Sequence, residues 1–445
     1  MDFSRRIFMS AAPVLAAGTV SAGPALAASA PASLSAAEFG LKPNSTADQS
    51  ATLSKAVAKA SERGLALLLP GGRYQISDMR IDRPVVIQGV AGQTKLVTRK
   101  GTRIFTIEAT DVVLDGIGFE GSGDAAERDA ALVAAQTSER LTIVNCAFRN
   151  FAGSGLELRQ CSGRIAHNRI GDVGMTGIFA LDSTGLEIAS NHITDIGNNA
   201  IQVWTSDQRQ DGTIVTGNRI ERVRFDNGGT GQNGNGVVVF RAGNVTVSGN
   251  RISDCAFSAI RNNSGRNCQI VNNSCSRLYE TAIYVEFAFD GAVVSGNLVE
   301  TAATGISITN FNEGGRLAVC ANNVIRDITG GGSQPDKRGL GIGVEADTIV
   351  TGNVVEAVSH VGITAGWGAY ARNILITGNL VRQCPTAITL SVSKGAGAMT
   401  ISGNMIAQSP QGIIGMDYTN AVTGDLALGD AIVPANLKVS GNSVT

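Results

Sequence analysis

Short apolar runs alternate with Gly, Asn and Asp along almost the whole chain, and the alternation repeats. One arrangement recurs: an apolar residue, two small or polar residues, Asn, one further residue, then Ile or Val. It reads Ile165-Ala166-His167-Asn168-Arg169-Ile170, Ile188-Ala189-Ser190-Asn191-His192-Ile193, Val215-Thr216-Gly217-Asn218-Arg219-Ile220 and Val247-Ser248-Gly249-Asn250-Arg251-Ile252. The Asn continues at Asn273, Asn297, Asn323, Asn353, Asn379, Asn404 and Asn442, giving eleven consecutive copies. Two earlier copies carry Ile117 and Cys146 in its place. From Cys146 onward the spacings are 22, 23, 27, 32, 23, 24, 26, 30, 26, 25 and 38 residues. The shortest is the bare unit, and the longer ones carry loops.

Counted from the Asn, positions −3 and +2 are mostly Ile or Val, and position +5 is mostly apolar (Val173, Ile196, Val223, Cys255, Leu278). A second apolar stretch follows, as in Gly155-Leu156-Glu157-Leu158, Ala200-Ile201-Gln202-Val203 and Ala282-Ile283-Tyr284-Val285. The local period is 2, so these are strands with alternate residues inward. Gly, Asn and Asp between them tolerate the left-handed backbone of a sharp corner. Strands this short cannot bury a face alone. They can if each unit is one coil of a parallel solenoid, with coils stacked at ~4.8 Å. The Asn slot then becomes a ladder at one bend, each amide bonding main chain or the next Asn. The Leu frame of leucine-rich repeats is absent, and propeller blades need ~40 residues.

Before the repeats, Thr46 to Arg63 has Leu53, Val57 and Ala60 at helical spacing and ends at Gly64, a C-cap signal. Leu65 to Ile76 reads as strand, turn, strand. An open first coil exposes core and unpaired edge, so this helix is expected to cap it. The other end stops inside a repeat at Ser440-Gly441-Asn442-Ser443-Val444-Thr445. There the loop 417–436 or self-association with a second subunit is expected to cover the last coil.

Residues 1–27 have a charged start, a short Ala-rich middle and an Ala25-Leu26-Ala27 end, the form of a removable signal cut after Ala27. Ser4-Arg5-Arg6-Ile7-Phe8-Met9 resembles the twin-arginine export motif. The expected division is thus 1–27 signal, 28–100 cap and first coils, and 101–445 repeats. The expected location is periplasmic or secreted, the expected partner the twin-arginine export machinery. The segment is too short and too Ala-rich for stable membrane insertion. The full chain carries a net charge of −1 and only 16% charged residues, which argues against a nucleic-acid binder. Gly numbers 55 and aromatics make up 5%, while 43% hydrophobic residues suffice for a core.

Phe39-Gly40 to Tyr74, with its helix and Leu69-Pro70-Gly71-Gly72-Arg73-Tyr74, resembles the N-terminal cap of the right-handed parallel β-helix, or pectin-lyase-like, superfamily. The Gly-Asn-x-Ile and Gly-Ile-x-Val strands resemble its coils. The resemblance implies an all-β fold: a single-stranded right-handed parallel β-helix of about 12 coils with an N-terminal α-helical cap. With the signal, the chain also resembles a family of twin-arginine-exported β-helix repeat proteins of unestablished function. The scaffold hosts lyases, hydrolases, epimerases and non-catalytic proteins, so it does not fix activity. Asn-Thr-Asp, Gly-His-Gly and Arg-Ile-Lys of polygalacturonase-type hydrolases are absent, as is Asp-Pro-His-Asp of alginate-epimerase-like members.

The extra residues cluster. Phe225 to Asn233 and Gly330 to Arg338 precede one strand position, while Thr205 to Gly212, Asn310 to Gly315 and Gly366 to Arg372 follow it. Loops on both flanks of one strand column build two walls, and long loops on a rigid scaffold are where function concentrates. In the superfamily that sheet lines the carbohydrate groove. Its outward residues, by alternation, include Trp204, Phe240, Arg261, Asn263, Tyr284, Glu286 and Glu345. A lyase or epimerase on a uronic-acid polymer needs a cation for the carboxylate and a base for the C5 proton; Arg261 and Tyr284, on neighbouring coils, fit those roles. A hydrolase wants two carboxylates ~5–10 Å apart; Glu280 and Glu286 are the nearest offer. Trp204, Phe240 and Trp367 can stack on sugar rings, with Asn263 and Glu345 alongside as substrate-binding candidates. The competing assignment is an Arg–Glu surface pair and a cross-strand aromatic.

Three scattered His give no metal-site spacing, and no cofactor motif is present. Asp172, Asp195, Asp254 and Asp327 share position +4 near Arg side chains, which reads as a solvated mixed-charge face. Of the seven Cys, Cys255, Cys268, Cys275, Cys320 and Cys384 fall in inward slots, so buried thiols rather than disulfides are expected. Two functions fit: an exported protein that binds, and cleaves or epimerises, a polysaccharide or envelope glycan along the walled sheet, or a non-catalytic binding or scaffold protein using the same groove.

Overall fold

A computed structural model describes residues 33–99, 101–124, 130–310, 314–331, 337–429 and 431–445. The proposed signal, with Arg5, Arg6 and Ala27, lies outside them. The described chain winds as an all-β parallel solenoid of about 13 turns. In a typical turn Gly163–Ala166 forms a first strand, Arg169–Val173 a second and Thr176–Leu181 a third. Each pairs in parallel with the strand one turn on: Ile165 with Ile188, Ile170 with Ile193, Ile178 with Ile201. The result is three columns of strands around one interior. Stacked Ile and Val rows fill it, as in Ile170–Ile193–Ile220–Ile252–Cys275–Val299, all buried.

Each turn bends at the Asn. Asn191 is typical: its Nδ2 donates to Ile165 O at 2.9 Å on one side and to Asn218 Oδ1 at 3.0 Å on the other, and its N–H donates to the same Oδ1 at 2.9 Å. The pattern runs from Asn168 to Asn404, which donates to Asn442, and Cys146 N–H donates to Asn168 to begin it. Thus the amides bond both main chain and the next Asn. Left-handed residues flank them: φ is 58° at His167, 55° at Ser190 and 63° at Gly217 and Gly249. A second left-handed corner falls at position +4, with Asp172, Asp195, Arg222, Asp254 and Arg277 at 53–57°. Arg222 pairs with Asp195, and Arg277 with Asp254, from one turn to the next at 2.7 Å, so that face is the mixed-charge surface expected.

The helix spans Ser50–Arg63, four residues shorter at its start than the sequence pattern. Leu53, Ala56, Val57 and Ala60 are its buried side, against strands Ala66–Leu69, Met79–Ile81 and Val85–Gly89. Gly64, at φ 62°, closes it by donating to Ala60 O and Ser61 O. At the other end, Asn420–Asp425 pairs antiparallel with Gln411–Asp417, the last strand of the third column. The Asp425 carboxylate accepts N–H bonds from Gly412 and Ile413. That part of the 417–436 loop therefore folds over the end and satisfies an edge that would otherwise be open. All seven Cys are buried and unpaired. No described helix is long and apolar enough to cross a membrane.

Candidate functional site on the flanked column

The third column carries the loops on both flanks. Its outward side chains, two per strand, stand in two rows along the solenoid. One row runs Gln202, Val238, Arg261, Tyr284, Ser307, Gly343, Thr364, Thr389, Ile414. The other includes Trp204, Phe240, Asn263 and Glu286 in successive turns. Chemistry changes along these rows in three stages.

Aromatic rings come first. Phe179, Trp204 and Phe240 contact one another in series, 5.5 Å between centroids at each step. The Arg241 guanidinium lies 4.8 Å from the Phe240 ring. Much of the ring surface of Trp204 and Phe240 is therefore spent on neighbours rather than offered to a ligand.

A buried ionic cluster follows. Arg261 Nε and Nη2 donate to the two oxygens of Glu286 at 2.6 and 2.9 Å, a bidentate pair. Its Nη1 donates to Glu280 Oε2 at 3.2 Å and to Gly231 O at 3.1 Å. Asn263 Nδ2 donates to Glu286, and Ser258 Oγ to Glu280. Both carboxylates are buried, and the Tyr284 ring stacks on the guanidinium at 4.9 Å. Gly231 belongs to the inserted loop before the strand; its φ is +139°, and a Cβ there would lie 2.2 Å from Arg261 Nη1. Only glycine lets the wall approach this closely. Burial works against the Arg261 charge, but Glu286 and then Glu280 hold its pKa above the ordinary value. The guanidinium is thus committed to protein carboxylates. It can meet a substrate carboxylate only by giving up Glu286 or Glu280.

Beyond Tyr284 the column opens into a groove of about 440 Å³ that continues to Met416. Ser307, Gly343, Thr364 and Thr389 form its floor. Trp367 and Tyr418 stand on one side, ring centroids 5.6 Å apart and nearly perpendicular. Arg338, from the loop on the opposite flank, reaches within 5.7 Å of the Trp367 ring, so the two walls meet over the floor. Glu345 lines the groove, its carboxylate accepting the Asn310 N–H at 2.7 Å. Floor hydroxyls interconnect: Thr389 Oγ1 donates to Thr364 Oγ1 at 2.8 Å.

The candidates named from sequence thus divide. Arg261, Asn263, Glu280, Tyr284 and Glu286 come together in the cluster; Tyr284, Glu345 and Trp367 line the groove; Trp204 and Phe240 lie on the aromatic strip before both. Arg338, His360, Thr364, Thr389 and Tyr418, all groove residues, were not among them. Strand alternation carries the signal for Thr364 and Thr389, which follow Ile363 and Ile388 outward. Tyr418 has none, since it sits at the turn of the terminal hairpin.

A parallel solenoid with a single walled column is the architecture of a β-helix protein. Residues 90–220 and 209–323 match the family model of the right handed beta helix region, together just over half of the chain. The chain belongs to that family. No curated protein sequence matches it. Among solved structures it is similar to a mutant tailspike protein of E. coli bacteriophage HK620, at 10% identity and TM-score 0.59, covering 92% of this chain and 80% of that one. It is also similar to an N-terminal fragment of gene product 12 of bacteriophage Phi29, at 12% identity and TM-score 0.54, covering 91% and 73%. The A-module of the Azotobacter vinelandii mannuronan C-5 epimerase AlgE4 aligns at 13% identity and TM-score 0.48, covering 92% and 100%. The two phage proteins, at identities this low, speak to fold alone.

Proposed function

We propose that this chain binds a carbohydrate polymer in the groove between Tyr284 and Met416. The observation that carries the reading is the groove's composition: an aromatic pair on the wall, a row of hydroxyls on the floor and one tethered carboxylate. Aromatic faces take the apolar faces of sugar rings, and fixed hydroxyls and carboxylates take their OH groups. The floor rises through six successive turns from Tyr284 to Ile414, a length of ~24 Å at the usual strand spacing. That suits a polymer segment rather than a single sugar. The same reading has the chain act outside the cytoplasm, with Arg5 and Arg6 directing twin-arginine export. Replacing both by Lys is expected to leave the protein in the cytoplasmic fraction, and unchanged export would remove that part.

The test is affinity electrophoresis of the full chain against a panel of neutral and acidic polysaccharides. Retardation by at least one polymer is expected, with Trp367→Ala weakening it about tenfold or more. No retardation by any polymer, or retardation indifferent to Trp367→Ala, overturns the reading. A catalytic reading has one observation in its favour: Tyr284 belongs to both the buried cluster and the groove, so its phenol stands between a cation and the ligand path. Release of unsaturated product or reducing ends that is lost in Tyr284→Phe would support it. Product formation that survives Tyr284→Phe and Arg261→Ala would rule out this cluster as its source.

A further inference from the structure

A second groove, of about 360 Å³, lies on the second column near the N-terminal end, with no residue shared with the first. Its floor follows from register. Lys95, Gly118, Ala147, Arg169 and His192 stand in one outward row, and Glu120, Arg149, Gly171 and Thr194 in the next. Gly118, Ala147 and Gly171 leave a trough between the long side chains. A Cβ on Gly171 would lie 3.1 Å from Thr194 O, and one on Gly118 3.3 Å from Thr94 O, so the floor is as low as the backbone allows.

Cations crowd the rim. Glu120, with its side chain 8% exposed, is held by three of them: Arg73 Nη1 at 2.7 Å, Lys95 Nζ at 3.2 Å and Arg149 Nε at 2.9 Å, with Arg149 Nη2 on the same oxygen. Arg169 is exposed and has no ion-pair partner among the described residues. Three cations line the groove, Lys95, Arg149 and Arg169, and its lining carboxylates are Glu120 and Asp172; Arg73 reaches Glu120 from outside the lining. Three positive groups on one carboxylate repel one another, and a second anion in the trough would relieve that repulsion. Lys95 and Arg169 are three turns apart, ~14 Å along the axis, with Arg149 between them. The spacing suits several anionic groups in file.

We propose that this trough is a binding site for an acidic oligosaccharide, its carboxylates meeting Lys95, Arg149 and Arg169 and its hydroxyls meeting Asp172, Asn145 and Thr194. The two carboxylates at the site and the chain's net charge of −1 disfavour a densely charged phosphodiester polymer. They leave acceptors for sugar OH groups. This site does not rest on the groove beyond Tyr284.

The experiment is calorimetric titration of the full chain with oligogalacturonate, at low and at physiological salt. Binding that weakens with salt is expected. Arg169→Ala, which breaks no ion pair, should weaken it about tenfold or more, and Glu120→Gln should tighten it by removing the competing carboxylate. Ala147→Leu fills the floor without touching a charge and should abolish binding, while Trp367→Ala should leave this site's affinity unchanged. No binding at low salt overturns the proposal, as does binding indifferent to both Arg169→Ala and Ala147→Leu. Equal affinity for a neutral oligosaccharide or for single-stranded DNA overturns the ligand assignment. Thermal melting of each variant separates loss of binding from loss of fold.

Discussion

Replacing Asn297 by Ala isolates the rung that the Asn ladder contributes to each turn. Asn297 Oδ1 accepts the N–H and the Nδ2 of Asn273, both at 3.0 Å, and its Nδ2 donates to Ile270 O at 2.9 Å and to Asn323 Oδ1 at 3.0 Å. All of these groups are in the interior, where water cannot replace the amide. The Asn273 N–H loses its acceptor outright, and Ile270 O loses a donor, whereas Asn273 Nδ2 keeps Val247 O and Asn323 Oδ1 keeps the N–H of residue 297. Each orphaned buried group costs ~1–3 kcal/mol, so the two together should cost about 2–6 kcal/mol. Solenoids open locally, because each turn touches only its neighbours. The right assay is therefore amide hydrogen exchange, read together with the urea midpoint. Exchange at Asn273 and the flanking strand amides should accelerate about 30-fold or more, with smaller changes several turns away. A urea midpoint and exchange rates equal to those of the unaltered chain would refute the view that the ladder holds the bends.

Other outcomes follow from particular buried groups. Asn262 stands in the interior between Val239 and Val285 in register, and among the described residues neither its Oδ1 nor its Nδ2 has a hydrogen-bond partner; Asn262→Val should raise stability by about 1–3 kcal/mol, and a fall in the urea midpoint would show that the amide is satisfied. Burial pushes the thiols of Cys146, Cys268, Cys275 and Cys320 up to about 12, so the folded chain should ignore Ellman's reagent and react with it only in denaturant; prompt reaction of any of the four contradicts their placement. Burial raises the Glu120 pKa, but Arg149, Lys95 and Arg73 together win and hold it below the usual glutamate value. Its stabilisation is therefore complete above that value and is lost as pH falls through the lowered one. Glu120→Gln should flatten this acid limb of the melting curve; an unchanged limb would show that Glu120 is not responsible.

The solenoid was legible because its signals are local and repeat. The Asn register, the period-2 strands and the Gly64 stop each follow from backbone geometry that one residue can report. Alternation likewise placed Arg261, Tyr284, Glu286 and Glu345 outward on the flanked column. What it could not report was contact between distant segments. That Gly231 O would cap Arg261, and so commit the guanidinium to the protein, depends on how a nine-residue insert folds back. Tyr418 and Arg338 reach the groove from a terminal hairpin and a flanking loop, neither of which has a period to read. The three cations on Glu120 come from three strands of one column, spread from Arg73 to Arg149, and only the register brings them together.

The groove is tested most directly by a crystal structure of the chain soaked with an oligosaccharide drawn from the best-binding polymer. Sugar density is expected along the floor from Tyr284 to Met416, with a ring stacked on Trp367 or Tyr418 and hydroxyls on Thr364 and Thr389. Density confined to some other face of the solenoid, with this groove empty at saturating ligand, would contradict that expectation.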